Sequence, residues 1–170
     1  ELFVVTDTLN AVFEDGDPAN NVAYAPQGIS ITQPPRPNLV VADIVTPPSG
    51  FVGQTFDLTF TLSNIGEVSA PGPWADRVTA TPDSGGAPIL LGEFFYNGSL
   101  AVGASQERTV ALRYPLTIDL YRISVTTDRS DAVNEGLDGG ESDNTAVDAT
   151  TFTAEGYDVS VAADIDSAPA

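Results

Sequence analysis

The stretch Thr55-Phe-Asp-Leu-Thr-Phe-Thr-Leu62 decides the fold class. Apolar residues occupy every second position of it: Phe56, Leu58, Phe60 and Leu62. Because successive side chains of a β-strand point to opposite faces, this alternation places all four on one face. A helix would scatter them around its circumference. The stretch therefore predicts a half-buried antiparallel strand, and the following Asn64-Ile-Gly66 predicts the turn that ends it.

The same two-residue period recurs along the chain. The clearest further strands are expected at residues 109–114 and 121–127, and weaker ones at 39–45, 77–81, 89–96 and 145–153. Sequences rich in Pro, Gly and Asp separate them and predict turns. Seven short strands without a helical period predict an all-β fold, an immunoglobulin-like seven-stranded antiparallel sandwich. Because the chain has no Cys, core burial must supply the stability that a disulfide gives antibody domains.

Composition excludes several classes of function. The 170 residues include 24 acidic and 6 basic side chains, for a net charge of −18, and neither Cys nor His occurs. Without these two residue types the chain has no thiolate nucleophile, no Ser-His-Asp triad and no tetrahedral zinc site. The negative charge opposes phosphate backbones and anionic lipids, and no apolar run is long enough to span a bilayer. We therefore expect no nucleic-acid partner and no membrane insertion.

One pattern occurs twice in the chain. Asp7-Thr-Leu-Asn-Ala-Val-Phe-Glu14 matches Asp128-Arg-Ser-Asp-Ala-Val-Asn-Glu135 without a gap, at an offset of 121 residues. A second match, offset by 120 residues, pairs Asn38–Ala42 with Asp158–Ala162. Two matches at nearly the same offset predict a tandem array with a period of about 120 residues.

We therefore expect one complete repeat with a partial copy at each end. Residues 37–154 would form the complete sandwich, and residues 1–33 the C-terminal strands of a preceding repeat. The Pro-rich residues 34–36 link them as a stiff spacer, while residues 155–170 would form a linker and the first strand of the following repeat. A two-stranded ribbon is marginal in water. We thus expect neighbouring repeats or identical subunits to complete it, by head-to-tail or strand-complementing contacts.

Motifs in a fixed order carry a family resemblance. They are Pro37-Asn-Leu-Val-Val41, Gly53-x-x-Phe-x-Leu-x-Phe-x-Leu-x-Asn64-x-Gly66, Leu100-Ala-Val-Gly103, Tyr121-x-Ile-x-Val-x-x-Asp128, and Glu135 leading to Glu141-x-Asp-Asn144. In this order they resemble CARDB, the cell-adhesion-related domain found in bacteria, over residues 37–154. The chain departs from the family pattern at Asp143-Asn144, where Asn-Asn is usual. The resemblance implies an immunoglobulin-like fold, repeated in large secreted or surface proteins and without catalytic activity.

The loop at residues 128–144 is unusually acidic. It contains six carboxylates: Asp128, Asp131, Glu135, Asp138, Glu141 and Asp143. The first copy offers a similar set of oxygens: Asp7, Asn10, Glu14, Asp15, Asp17 and Asn20. Calcium suits such a set, because it takes six to eight oxygen ligands in adaptable geometry, although the spacing is not that of an EF-hand. The alternative is a solvated loop in which Asp and Asn side chains bond the local backbone. Structural Ca²⁺ is the one cofactor that the sequence suggests.

Other functions have weaker support in the sequence. Two carboxylates at a set separation can hydrolyse glycosides, but the acids crowd a Gly-rich loop without an evident aromatic cleft. A carbohydrate-binding module of a secreted protein is the alternative function, with Trp74, Phe94, Phe95 and Tyr96 as stacking residues. These aromatics also fit a strand that buries one face, and Trp74 fits the edge of a core. The sequence therefore favours a non-enzymatic structural repeat at the cell surface or outside the cell, as a stiff spacer, filament or adhesion module.

Overall fold

The computed structural model describes residues 2–15, 18–136 and 140–159. Contacts between Cα atoms divide the chain into two units, residues 1–34 and 35–170. We call the first the ribbon and the second the body. The predicted Asp17, Asp138 and most of the predicted strand within residues 155–170 lie outside the described residues.

The body is an all-β sandwich of immunoglobulin-like type. Its strands are β3 Leu39–Val45, β4 Ser49–Phe51, β5 Thr55–Asn64, β6 Ala70–Pro71, β7 Trp74–Pro82, β8 Ile89–Tyr96, β9 Ser99–Leu100, β10 Ser105–Arg113, β11 Asp119–Thr126, β12 Thr145–Val147 and β13 Phe152–Glu155. One sheet has the order β10-β5-β3, and the other has the order β4-β13-β11-β7-β8, with β12 also paired to β11. Within the described body, all pairs are antiparallel except β13 with β4. A small pair, β6 with β9, lies outside both sheets.

Alternation along the strands builds the core between the two sheets. Phe56, Leu58, Phe60 and Leu62 of β5 are all buried, as their spacing predicts. Strand β10 buries Val110 and Leu112, and β11 buries Tyr121, Ile123 and Val125. These side chains belong to one contiguous apolar cluster. The three strands with the clearest alternation are therefore confirmed, and they supply both walls of the core.

Two aromatic residues mark the body as immunoglobulin-like. Tyr121, at the start of β11, donates a hydrogen bond from its hydroxyl to the carbonyl of Thr117, at 2.9 Å. This is the geometry of the tyrosine corner found in immunoglobulin folds. Trp74 of β7 is 1% exposed and stacks on Tyr96 with ring centroids 4.4 Å apart. Immunoglobulin folds also bury a Trp in the core, beside a disulfide that this chain, without Cys, cannot form.

Asn64 fixes the start of the body. Its side chain is fully buried. Its Oδ1 accepts hydrogen bonds from the backbone N–H groups of Asn38 and Gly66, both at 3.1 Å, and its Nδ2 donates to the carbonyls of Val68 and Leu100. A Cβ on Gly66 would lie only 2.3 Å from the backbone nitrogen of Asn38, so a side chain there would displace the entering chain. The Asn-x-Gly turn therefore ends β5 and also clamps the end of the linker.

The predicted strand at residues 145–153 is wrong as a single element. The structure divides it into β12 and β13, which pair with different halves of β11. Between them, Oδ1 of Asp148 accepts hydrogen bonds from the N–H and hydroxyl of Thr150, at 2.8 and 2.9 Å. This local turn competes with the sheet hydrogen bonds and interrupts the strand.

The ribbon contains two short strands, β1 (Phe3–Val5) and β2 (Val22–Tyr24), which pair antiparallel with Val4 opposite Ala23. A 3₁₀ helix at Pro18–Asn21 precedes β2, and a second 3₁₀ helix at Gly140–Ser142 precedes β12 in the body. Within the described residues, no helix has the length and apolarity needed to cross a bilayer.

Candidate functional site: the acidic corner

The acidic loop begins with a turn held by the carboxylate of Asp128. Its Oδ1 accepts the N–H of Ala132 at 2.9 Å, and its Oδ2 accepts the N–H of Val133 at 2.7 Å. The backbone carbonyl of Asp128 accepts the N–H of Asp131 at 3.0 Å. Asp128 and Asp131 both have positive φ, at 39° and 52°, a conformation that Asp tolerates better than most residues. We call this turn, residues 128–133, the Asp corner.

Asp128 is buried, with 1% of its surface exposed. Burial raises the pKa of its carboxyl above the usual value, while the two backbone N–H groups oppose that rise. The side chain of Val133, which ends the corner, is 3% exposed and belongs to the core cluster. The corner therefore joins a locally satisfied carboxylate to an apolar anchor.

Glu135 follows the corner and is also buried, at 5% exposure. Its backbone N–H donates to Oε1 of Glu141 at 3.1 Å, and Nδ2 of Asn144 donates to Oε2 of the same carboxylate at 3.3 Å. Burial raises the pKa of Glu135 to about 8, the backbone N–H of Leu39 opposes the rise, and nearby carboxylates add to it. Glu135 is therefore largely protonated at neutral pH.

The end of the loop is bound to two strands. Nδ2 of Asn38, next to the start of β3, donates to Oδ2 of Asp143 at 3.2 Å. The carbonyl of Asn144 accepts the N–H of Thr127, just after β11, at 2.9 Å. The loop thus closes the end of the sandwich at which the linker enters.

These contacts bear on calcium ligation. Asp128, Glu141 and Asp143 accept hydrogen bonds from protein N–H groups, while Asp131 is exposed. Among residues 2–15, 18–136 and 140–159, no group of three acidic residues is placed to hold a metal ion. The carboxylate oxygens of the described residues therefore do not form a calcium-binding site in the positions that they occupy. Because Asp138 and Asp17 lie outside the described residues, calcium at this loop stays a prediction.

The ribbon contains a second Asp corner with the same hydrogen bonds. Asp7 accepts the N–H groups of Ala11 and Val12, at 2.8 and 3.1 Å, and its carbonyl accepts the N–H of Asn10 at 2.9 Å. Asp7 and Asn10 have φ of 43° and 51°. The predicted ligand Glu14 is half-buried, with Oε2 lacking a hydrogen-bond partner in the described part of the chain. The sequence match is therefore also a match of backbone conformation.

The match extends to the flanking strands. The N–H of Thr6 donates to the carbonyl of Asn21 at 2.9 Å, as that of Thr127 does to Asn144 at 2.9 Å. The N–H of Ala25 donates to Leu2 and that of Asp148 donates to Ile123, both at 2.9 Å. Val5 pairs with Val22 as Thr126 pairs with Thr145. Residues 2–7 thus correspond to residues 123–128 by an offset of 121, and residues 21–25 to 144–148 by an offset of 123.

Sequence reasoning missed a buried ion pair beside the corner. Asp76 of β7 is fully buried and pairs with Arg108 of β10, while the hydroxyl of Thr127 donates to its Oδ1 at 2.7 Å. The Arg108 guanidinium lies 5.8 Å from the ring centroid of Phe60 and 5.5 Å from that of Tyr96. Burial lowers the pKa of Arg108 from its usual value. The one signal available was that each charge directly precedes a predicted strand, in phase with the apolar positions of that strand.

The predicted sugar-stacking aromatics are mostly part of the core. Trp74 is buried, and Phe94 and Tyr96 pack partly buried against the core cluster. Phe95 points the other way and is 71% exposed. The favoured prediction for Trp74, a place in the core, is therefore confirmed, and its side chain is too buried to be a surface platform for a sugar.

Comparison with known proteins gives one family. The model of the CARDB family matches residues 36–146. The chain is similar to the CARDB domain of a Pyrococcus furiosus protein, solved in complex with di-metal ions, with 21% identity and a TM-score of 0.47 over 74% of this chain and 97% of that one. No curated protein matches the chain.

Two further solved structures cover smaller parts of their own chains. The sporulation control protein of Bacillus subtilis has 15% identity and a TM-score of 0.47, over 71% of this chain and 50% of that chain. The β-glucosidase of Listeria innocua, in complex with glucose, has 16% identity and a TM-score of 0.47, over 72% of this chain and 17% of that chain.

Proposed function

Because the chain belongs to the CARDB family, a family of cell-adhesion-related domains, we propose that it is a non-catalytic structural module of a surface or extracellular protein. In this role it is joined head-to-tail to neighbouring modules and acts as a stiff spacer in an adhesive or filamentous array. The observation that carries the proposal is the Asp corner, which occurs twice in one chain with the same hydrogen bonds.

The buried polar groups of the body support a structural role. Asp128 binds two backbone N–H groups, and Asp76 binds Arg108 and Thr127. These carboxylates hold the ends of strands in place. Buried and hydrogen-bonded groups of this kind rigidify a domain when each of them is satisfied.

The entrance to the body supports stiffness between modules. The N–H of Glu67 donates to the carbonyl of Arg36, and the N–H of Ile65 donates to the carbonyl of Asn38, both at 2.8 Å. Together with the Asn64 side chain, these bonds fix residues 36–38 to the body. Prolines at 34, 35 and 37 restrict the remaining linker, because each fixes its own φ and limits its predecessor.

Spin labels can test this stiffness directly. Because the chain has no Cys, the exposed Ala23 and Ala111 can be changed to Cys, labelled, and their separation measured by pulsed electron resonance. We expect a narrow distance distribution that broadens when Pro34 and Pro35 are changed to Gly. A distribution that is already broad with the native linker would refute the stiff spacer.

The location of the module needs a separate test. An antibody raised against the body should label intact cells of the source organism, and brief protease treatment of those cells should remove the label. Labelling only after the cells are made permeable would refute a surface location, whatever the linker does.

A further inference from the structure

The ribbon exposes a face whose counterparts form the core of the body. Leu2, Val4 and Val12 are 50%, 66% and 62% exposed. Their counterparts by the offset of 121 residues are Ile123, Val125 and Val133, which are 0%, 0% and 3% exposed. The corner thus has the same backbone hydrogen bonds in both places. Its apolar side chains are buried in the body and exposed in the ribbon.

The segment after β2 carries two further counterparts of core residues. By the offset of 123 residues, Ile29 and Ile31 correspond to Phe152 and Ala154 of β13, which are 1% and 0% exposed. Ile29 and Ile31 are 59% and 92% exposed and lie outside any strand. In the body, β13 pairs with Asp119–Tyr121, and the offset gives that stretch no counterpart among residues 2–15. The segment therefore has a strand-like pattern and no strand to pair with in the described chain.

The body shows what covers this face. Strand β7 pairs with the other edge of β11, with Val78 opposite Val125 and Ala80 opposite Ile123. The hydroxyl of Thr127 donates to Asp76 of β7, and the N–H of Arg129 donates to the carbonyl of Ala75. The ribbon counterparts of these two donors are Thr6 and Thr8. A strand like β7, apolar on one face and with an Asp opposite Thr6, would accept hydrogen bonds from both the hydroxyl of Thr6 and the backbone N–H of Thr8.

We infer that the face formed by Leu2, Val4, Val12, Ile29 and Ile31, the ribbon face, docks onto a CARDB sandwich that lacks its own equivalents of β11, β12 and β13. A β7-like strand of that sandwich pairs with the free edge of β1, and residues 28–32 form the last strand. This rests on the proposed head-to-tail function and names the surface that makes the joint.

A second ribbon is a poorer occupant than such a sandwich. Two ribbon faces pressed together would cover apolar side chains, but the residues that form this face are all apolar and so provide no acceptor for the hydroxyl of Thr6. They also provide no neighbouring strand for Ile29 and Ile31. The body covers the equivalent groups through β7 and through the strands on the far side of its core.

The chain provides the parts for a direct test. Residues 35–121 can be fused directly before residue 1 of the full chain, so that Glu1 takes the place of Arg122. The fusion supplies β3–β10 and the pairing stretch Asp119–Tyr121 upstream of the ribbon, and the intact body remains as an internal reference. Hydrogen–deuterium exchange is then compared between the fusion and the original chain.

We expect the amides of residues 2–5 and 28–32 to exchange at least about 100-fold more slowly in the fusion, because they become part of a cooperative sandwich. Val4→Asp should abolish this protection, since its counterpart lies in the core. Val5→Asp is the matched control on the opposite face of the same strand, and should leave the protection within about two-fold.

Two results would overturn the inference. One is unchanged exchange of both segments in the fusion while the body stays protected. The other is concentration-dependent protection of the ribbon in the original chain, with sedimentation as a dimer, which would identify a second copy as the occupant. Neither result depends on cell labelling or on the spin-label distances, so the inference can fail while the proposed function stands.

Discussion

Replacing Glu135 by Gln should raise the free energy of unfolding at neutral pH and flatten its dependence on pH. Glu135 is 5% exposed, and its pKa is raised from 4.5 to about 8 by burial and by neighbouring carboxylates. The amide has the size of the carboxyl and keeps an oxygen to accept the N–H of Leu39. The substitution therefore removes the protonation equilibrium of this side chain.

The magnitude follows from the two pKa values. Between pH 4.5 and about 8 the folded protein holds a proton that the unfolded chain has released, so stability falls as pH rises through this range. At about 1.4 kcal/mol per pH unit, the loss due to Glu135 is about 3 kcal/mol at pH 7 and at most about 5 kcal/mol above pH 8. Below pH 4.5 both states are protonated, and the carboxyl carries no penalty.

Urea denaturation from pH 4 to pH 9, in buffer free of divalent cations, measures this difference. The advantage of the Gln variant over the native chain should grow by about 3 kcal/mol between pH 4 and pH 7, whatever constant offset the amide itself introduces. Glu107→Gln, which removes an exposed carboxyl of β10, is the control and should follow the native profile. Parallel curves for Glu135→Gln and the native chain would refute the reasoning.

The remaining predictions concern the corner, the ion pair, the aromatic core and calcium. Asp128→Ala leaves one buried and one partly buried N–H group without its acceptor and should lower the free energy of unfolding of the body by about 2–4 kcal/mol in urea, whereas Asp7→Ala should leave the transition of the body unchanged; equal losses would contradict this. Asp76→Ala leaves the Arg108 charge without its carboxylate partner and should lower the free energy of unfolding by about 3–5 kcal/mol; a loss of less than about 1 kcal/mol would indicate a solvated pair. Trp74→Phe should lower stability by about 1–3 kcal/mol without affecting any glycan binding; saturable binding on a glycan array that this change abolishes would restore the carbohydrate-binding alternative. Calcium binding at residues 128–144 predicts a higher melting temperature with Ca²⁺ than with chelator, and an equal midpoint would end that hypothesis.

Alternation of apolar and polar residues predicted the main strands, because a strand that buries one face carries apolar side chains at every second position. The bounds of β3 and β8 were predicted to the residue, and β5, β10 and β11 were placed within a few residues. The break between β12 and β13 was missed, because residues 145–153 contain no Gly or Pro to mark a turn. The Asp148 side chain makes the turn instead, through its hydrogen bonds to Thr150.

The candidate site was harder to predict, because an Asp side chain can either bind a cation or accept hydrogen bonds from the backbone. Asp128 was counted as a candidate calcium ligand because it lies in a loop crowded with carboxylates, and the structure shows its two oxygens accepting backbone N–H groups four and five residues later. Carboxylates that ligate a cation and carboxylates that accept N–H groups look alike in a sequence. The pair of Asp76 and Arg108 was missed for another reason: its members are 32 residues apart and meet only when the two sheets pack.

The two Asp corners separate what local sequence determines from what the core determines. Asp7 holds its turn with the same bonds as Asp128, although the anchor Val12 is 62% exposed and Val133 is 3% exposed. The turn therefore does not need the core in order to form. Residues 28–32, whose counterparts include β13, lie outside any strand of the described chain. If the ribbon docks as proposed above, its corner is formed in advance and only residues 28–32 become ordered as a strand, which reduces the entropy lost when the modules associate.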